Sequence, residues 1–213
     1  FKSTAIQWTP LPNIAGFVKS GSGTWTTPSL GHTFSGDFNA DGLTDNIGHD
    51  NATNTFGLMC ASDGKKFVSN KWTIDNHDWT KGFRGDFNTD GRTDLAIPTT
   101  SGVKVCLSNG VNGFNCSLWN NINVTGQITV GDFNADGRTD LTGKNQNTGQ
   151  YHLFTSTGSN FTTFTLPNFS TFSTYVVGDF TGDGKTDIYG ITIPEGSNPI
   201  SYLMLVAENN NFR

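Results

Sequence analysis

Four short stretches set carboxylates at a fixed spacing: "GDFNADGLTD" from Gly36, "GDFNTDGRTD" from Gly85, "GDFNADGRTD" from Gly131 and "GDFTGDGKTD" from Gly178. Counted from its first aspartate, the first stretch offers Asp37, Asn39, Asp41 and Asp45 at positions 1, 3, 5 and 9, with Gly42 at position 6. Alternate side chains of a tightly curling loop converge on one point, and the glycine permits a backbone conformation that a Cβ would penalise. Position 7, Leu43, would contribute its backbone carbonyl, so its side chain is unconstrained. Three carboxylates, an amide, a carbonyl and water make about six or seven hard oxygens, the number and type that Ca²⁺ prefers.

The second loop offers Asp86, Asn88, Asp90 and Asp94 with Arg92 at the carbonyl position, and the third Asp132, Asn134, Asp136 and Asp140 with Arg138 there. The fourth departs from the pattern: Thr181 replaces the amide between Asp179 and Asp183, with Lys185 and Asp187 following. It would bind through a hydroxyl, a water or with weaker occupancy. Mg²⁺ suits such a cage less well because it dehydrates reluctantly, and no His or Cys recurs in the loops to suit Zn²⁺. An EF-hand would end in a Glu at position 12, where this chain has Gly48. The bland alternative is a set of metal-free Asx-turns, against which stands the mutual repulsion of unneutralised carboxylates.

These loops need a scaffold, and its period can be read directly. Successive motif glycines lie 49, 46 and 47 residues apart, about the length of one propeller blade. After each loop come a short apolar run ("DLAIP", "DIYGI"), a second strand ("FGLMCAS", "VKVCLSN", "YHLFTST", "SYLMLVA"), a turn and a third segment with an aromatic anchor. About four short strands per repeat predict an all-β fold, a β-propeller of four-stranded blades with almost no helix. The repeats run near 36–84, 85–130, 131–177 and 178–213, with a partial blade at 1–35, all within one domain spanning 1–213. Four blades could close a four-bladed ring or form part of a larger propeller. Trp25, Trp72 and Trp119 recur every 47 residues, with Phe164 near the next equivalent place, which predicts packing between neighbouring blades.

The repeated G-D-F-N-x-D-G-x-T-D core at blade-length spacing resembles the FG-GAP/VCBS repeats of integrin-α-type β-propellers, found also in lectins and in secreted enzymes and toxins. The resemblance covers nearly the whole chain. It implies about four Ca²⁺ ions, one per loop, between the first two strands of each blade and mainly structural. It implies nothing about which residues bind a ligand.

Charge agrees with this placement: 12 of the 18 acidic residues, three per loop, lie in the four motifs. No basic patch suggests nucleic acid, and no run of 18 apolar residues suggests membrane insertion. The chain does not begin with Met and "FKSTAIQW" lacks signal-peptide order, so it reads as a mature or excised piece with any export signal upstream. Cys106 and Cys116 flank a hairpin-like stretch, where they either bridge or stay buried thiols; Cys60 lacks such a partner. Sequons at Asn51, Asn115, Asn123, Asn160 and Asn168 would accept glycans only in a eukaryotic secretory pathway.

Trp8 and Trp79 fall outside the tryptophan register and are candidate ligand contacts, the alternative being that they plug the structure. Trp79 stands in "DNHDWT", an irregular polar cluster of Asp75, His77 and Asp78 that reads either as an inter-blade loop or as a sugar contact. The four histidines share no register, so an enzyme is not expected. Extracellular Ca²⁺ modules bind in a range met outside cells, about 10⁻⁴ to 10⁻³ M, which predicts a secreted or cell-surface protein. The leading expectation is a calcium-stabilised recognition module for a glycan or a cell-surface protein. A structural propeller within a larger secreted toxin or enzyme comes second, and a calcium-assisted polysaccharide-cleaving enzyme third. The chain would then work with the remainder of a larger polypeptide or as a homo-oligomer.

Overall fold

Each Gly-Asp motif turns the chain between two antiparallel strands, and the pairing register is the same four times: Gly36 opposite Asp45, Gly85 opposite Asp94, Gly131 opposite Asp140 and Gly178 opposite Asp187. The computed structural model describes residues 30–50, 55–62, 67–166, 172–192, 201–208 and 211–212. The first sheet holds β1 (Leu30–Gly36), β2 (Asp45–Asp50), β3 (Thr55–Ser62) and β4 (Phe67–Asn70) in chain order. The second holds β5 (Phe83–Gly85), β6 (Asp94–Thr99), β7 (Gly102–Ser108) and β8 (Phe114–Leu118). The third holds β9 (Val124–Gly131), β10 (Asp140–Asn145), β11 (Tyr151–Ser156) and β12 (Phe161–Leu166). The fourth has β13 (Thr174–Gly178), β14 (Asp187–Thr192) and β15 (Ser201–Leu205), followed by a small pair, β16 (Ala207–Glu208) and β17 (Asn211–Phe212).

The fold is all-β, as expected; among the described residues the one helical turn is a 3₁₀ turn at Trp79–Lys81. Among the described residues three sheets have the predicted four strands and the fourth has three. Central strands are buried on both faces because a sheet packs on each side of them: all six residues of β11 are buried, as are Asp94–Ile97 of β6.

Three clusters fill the junctions between successive sheets. In the first, Trp72 wedges between Phe38 of the first motif loop and Phe114 of β8, with edge-to-face ring centroids 6.5 and 5.5 Å away. In the second, Trp119 meets Phe87 and Phe161 at 6.2 and 5.1 Å. The periodic tryptophans at 72 and 119 are therefore inter-sheet packing. The third junction places buried Leu166 five residues after Phe161, as Trp119 follows Phe114. The equivalent residue is thus Leu166, with Phe164 packed only at the edge of that cluster. Trp8, Trp25, Asn51 and Asn168 lie outside the described residues.

The disulfide is present. Cys106 and Cys116 are directly paired across β7 and β8, with Cα atoms 3.9 Å apart, and their sulfurs are bonded.

Candidate cation loops and inter-sheet clefts

The motif loops are built by side chains that turn back on their own backbone. In the first loop the Asp41 N–H donates to both Asp37 Oδ1 and Asn39 Oδ1, at 3.2 and 3.0 Å, so positions 1 and 3 converge on one point. Gly42 N–H donates to Asp37 Oδ2 at 2.8 Å, Leu43 N–H to Asp41 Oδ1 at 2.8 Å, and Asn39 Nδ2 to Asp41 Oδ2 at 3.0 Å. The second and third loops repeat the pattern through Asp86, Asn88 and Asp90 and through Asp132, Asn134 and Asp136. The curl requires left-handed backbone at position 6, where Gly42, Gly91 and Gly137 have φ near +80°. It also imposes φ of 60–61° on Ala40, Thr89 and Ala135 at position 4, a costly conformation for a β-branched threonine. The fourth loop relieves that strain with Gly182 there, and its Asp179 receives the N–H groups of Gly182, Asp183 and Gly184.

Position 7 differs in a way that alters the charge. The Arg92 guanidinium pairs with Asp90 Oδ2, Arg138 with Asp136 Oδ2 at 2.5 Å, and Lys185 with Asp183 at 3.6 Å. The arginines also donate to the carbonyls of Ser108 and Ser156 at 2.9 Å. The first loop has the apolar Leu43 in that place, half in solvent, and so has no counter-charge at position 7.

The position 9 aspartates lie beneath the loops. Asp45, Asp94, Asp140 and Asp187 are all buried, and each receives the N–H of the motif phenylalanine at 3.0–3.1 Å. The other oxygens of three of them receive main-chain N–H groups, from Ser108 of β7 on Asp94, Ser156 of β11 on Asp140 and Ala207 of β16 on Asp187. Burial pushes the Asp94 and Asp140 carboxyls up to about 7, in spite of those donors. Among the described residues no three Asp, Glu, His or Cys side chains are drawn together as a metal cage. What converges is a carboxylate, an amide oxygen and a second carboxylate at positions 1, 3 and 5, an all-oxygen donor set of the type that suits a hard cation such as Ca²⁺.

Two residue types in the motif have roles that its carboxylate chemistry does not reveal. The position 8 threonine of each later loop donates its N–H to the position 1 carbonyl of the preceding loop: Thr93 to Asp37, Thr139 to Asp86 and Thr186 to Asp132, at 2.6–2.7 Å. The same threonine side chains fill the space a Cβ would occupy at Gly36, Gly85 and Gly131, whose ideal Cβ positions lie 2.4–2.7 Å from them. Ser108 and Ser156 add a second tie, each donating its hydroxyl 2.6 Å to the motif phenylalanine carbonyl of the preceding sheet, Phe38 and Phe87. The only sequence signal for these contacts was that the Gly and Thr recur in all four motifs.

Two clefts flank the turn between β6 and β7, at the opposite end of the sheet from the acidic loops. One, about 460 Å³, opens between the second and third sheets, where Lys81, Thr99, Thr100, Asn123 and Thr125 bring polar groups to a floor including Phe83. The other, about 590 Å³, shares Lys81 and adds His77, Ser101 and Lys104. Burial, then the nearby Lys104 charge, holds the His77 imidazole below its usual range.

Trp79 is not available to a ligand there. It is fully buried beneath the linker, donates Nε1–H to the Asp75 carbonyl at 3.1 Å and packs edge-on against Phe34 and His77. The "DNHDWT" stretch is thus an inter-sheet connection pinned by its tryptophan, with Asp75 paired to Lys104 and Asp78 to Lys81.

Comparison with known proteins agrees with this architecture. Among solved structures, an Agrocybe aegerita lectin described for specific recognition of non-reducing terminal N-acetylglucosamine is similar, with a TM-score of 0.68 at 21% identity. The match covers 85% of this chain and 50% of the lectin's, so the chain spans about half the length of that structure. At such identity the likeness is one of fold. No curated protein matches the chain. Residues 132–190, which hold the third and fourth motif loops, match the family model of the FG-GAP-like repeat, and the chain carries repeats of that type.

Proposed function

We propose that the chain is a non-catalytic, extracellular recognition module for carbohydrate, built as a β-propeller and stiffened by Ca²⁺ in its motif loops. The observation that carries this reading is the fold shared with an N-acetylglucosamine-recognising lectin. The cleft between the second and third sheets supports it, since hydroxyls, an amide and an ammonium group over an apolar floor suit a sugar's mixed surface. Asp37, Asn39 and Asp41, with their counterparts Asp86, Asn88, Asp90, Asp132, Asn134, Asp136, Asp179, Thr181 and Asp183, would hold the ions. Bound Ca²⁺ would neutralise the paired carboxylates and add its binding energy to folding. The position 9 aspartates would support each site from below. An oxidising, calcium-replete setting fits the Cys106–Cys116 disulfide.

A glycan array that includes N-acetylglucosamine-terminated ligands, probed with the folded chain in Ca²⁺ and in chelator, tests the reading. Binding that Asn123→Ala or Thr100→Ala weakens is the expected result. A folded, calcium-loaded chain that binds no glycan refutes it. The second reading, a structural segment acting within a larger secreted assembly, is favoured by the exposed apolar face of the fourth sheet.

A further inference from the structure

The three junctions between successive sheets share one construction, and the fourth sheet presents the same half-junction to solvent. The motif phenylalanines Phe38, Phe87 and Phe133 are at most 1% exposed, whereas Phe180 is 49% exposed. By strand register, Tyr202 and Met204 of β15 correspond to Val103 and Val105 of β7 and to Tyr151 and Leu153 of β11. Those four are at most 5% exposed, while Tyr202 is 75% and Met204 43% exposed. Phe180, Tyr189 and Tyr202 form a continuous aromatic surface with centroid spacings of 6.5 and 6.2 Å. The hole is open as well: at Gly36, Gly85 and Gly131 a threonine of the next repeat fills it, but an ideal Cβ on Gly178 meets only the Phe180 ring, at 3.6 Å.

We propose that this face receives the first repeat of a second copy of the chain, with Thr44 entering the hole at Gly178. Thr44 is the position 8 threonine of the first loop; it is exposed, and it is the counterpart of the three threonines that fill the other holes. The docking continues an interface already repeated three times in the chain. Within one chain the two half-junctions do not meet, since Thr44 is exposed and the space at Gly178 holds only the edge of the Phe180 ring, so Thr44 would reach a Gly178 other than its own. Asn46 stands where Leu95, Leu141 and Ile188 stand in the other sheets, a polar residue at the junction to which Tyr189 and Tyr202 would bring hydroxyl groups. Two such head-to-tail contacts close a symmetric pair and cover the exposed face of both fourth sheets.

Sedimentation velocity of the whole chain over a range of concentrations tests this. The expected result is a species of twice the chain mass that Gly178→Ala and Tyr202→Asp each abolish. Gly178→Ala adds a methyl to open space within one chain but places it against Thr44 of the partner, so its melting temperature as a monomer stays that of the wild type. A chain of single mass at every concentration overturns the proposal, as does a Gly178→Ala variant that associates like the wild type. A Thr44→Cys, Gly178→Cys double variant that forms its new disulfide within one chain also overturns it, in favour of closure by a single copy.

Discussion

Ser156→Ala tests whether the sheets are tied together by side chains rather than by apolar contact alone. The hydroxyl of Ser156 donates to the Phe87 carbonyl at 2.6 Å and accepts the Gly158 N–H at 3.0 Å, and the residue is 2% exposed. Each bond contributes about 0.5–1.5 kcal/mol, and a buried partner left unsatisfied costs about 1–3 kcal/mol. Since the methyl of alanine fills most of the space, the expected loss is about 2 kcal/mol. In a domain of this size that corresponds to a fall in melting temperature of about 4–8 °C. Urea denaturation should show the midpoint falling with an unchanged slope, because the folded surface is the same. Ser101→Ala, at an exposed turn, serves as control and should change stability by less than about 0.5 kcal/mol. The reverse experiment is already suggested by the fourth repeat, where Ala207 takes the serine's place on the buried aspartate; Ala207→Ser should gain about 1 kcal/mol if its hydroxyl finds the Phe133 carbonyl. A Ser156→Ala loss no larger than that of the control would refute the tie.

Adding Ca²⁺ in place of chelator should raise the calorimetric melting temperature, each site contributing about 2.7 kcal/mol at about a hundredfold excess over its dissociation constant; no shift, with no metal found by native mass spectrometry, would remove calcium from the proposal. Asp41→Asn should weaken that response more than Asp90→Asn, because Asp90 already has the Arg92 guanidinium beside it and position 7 of the first loop is Leu43. Trp79→Ala should cost about 3–5 kcal/mol, whereas Trp79→Phe should lose about 1 kcal/mol with the Nε1–H bond to the Asp75 carbonyl and leave glycan binding unchanged; weakened glycan binding by a stably folded Trp79→Phe variant would contradict its burial. Burial lowers the His152 pKa, so the unfolded chain takes up that proton more readily than the folded one. Stability therefore rises with pH as the ordinary histidine value of about 6.5 is approached from below and levels off above it. The difference between wild type and His152→Gln in urea midpoint across that range isolates the effect, and parallel curves would contradict it.

The loops were legible because turn chemistry is local: a Gly at position 6 and Asx side chains at 1, 3 and 5 need only their own backbone to fold. The strands were legible because their apolar runs recur at one period. The fate of Trp79 was not, since polar neighbours in sequence say nothing about the sheet that covers a linker in space. The distinction between Phe164 and Leu166 was lost for a related reason: residues two apart share a face of a strand, and only the neighbouring sheet's position decides which one is the wedge. Position 9 is subtler. Its carboxylate reads as one more oxygen donor, and its buried main-chain partners on β7 and β11 come from 14 and 16 residues away.

The main-chain bonds from Thr93, Thr139 and Thr186 to the preceding loops have a consequence for how the four repeats respond together. Each joins position 8 of one loop to position 1 of the loop before it, so ordering one cup restrains the next. On the proposed reading, calcium occupancy along the repeats should behave as a nearest-neighbour chain rather than as four independent titrations. A defect introduced in a middle loop would then be felt on both sides, while the same defect in an end loop would be felt on one.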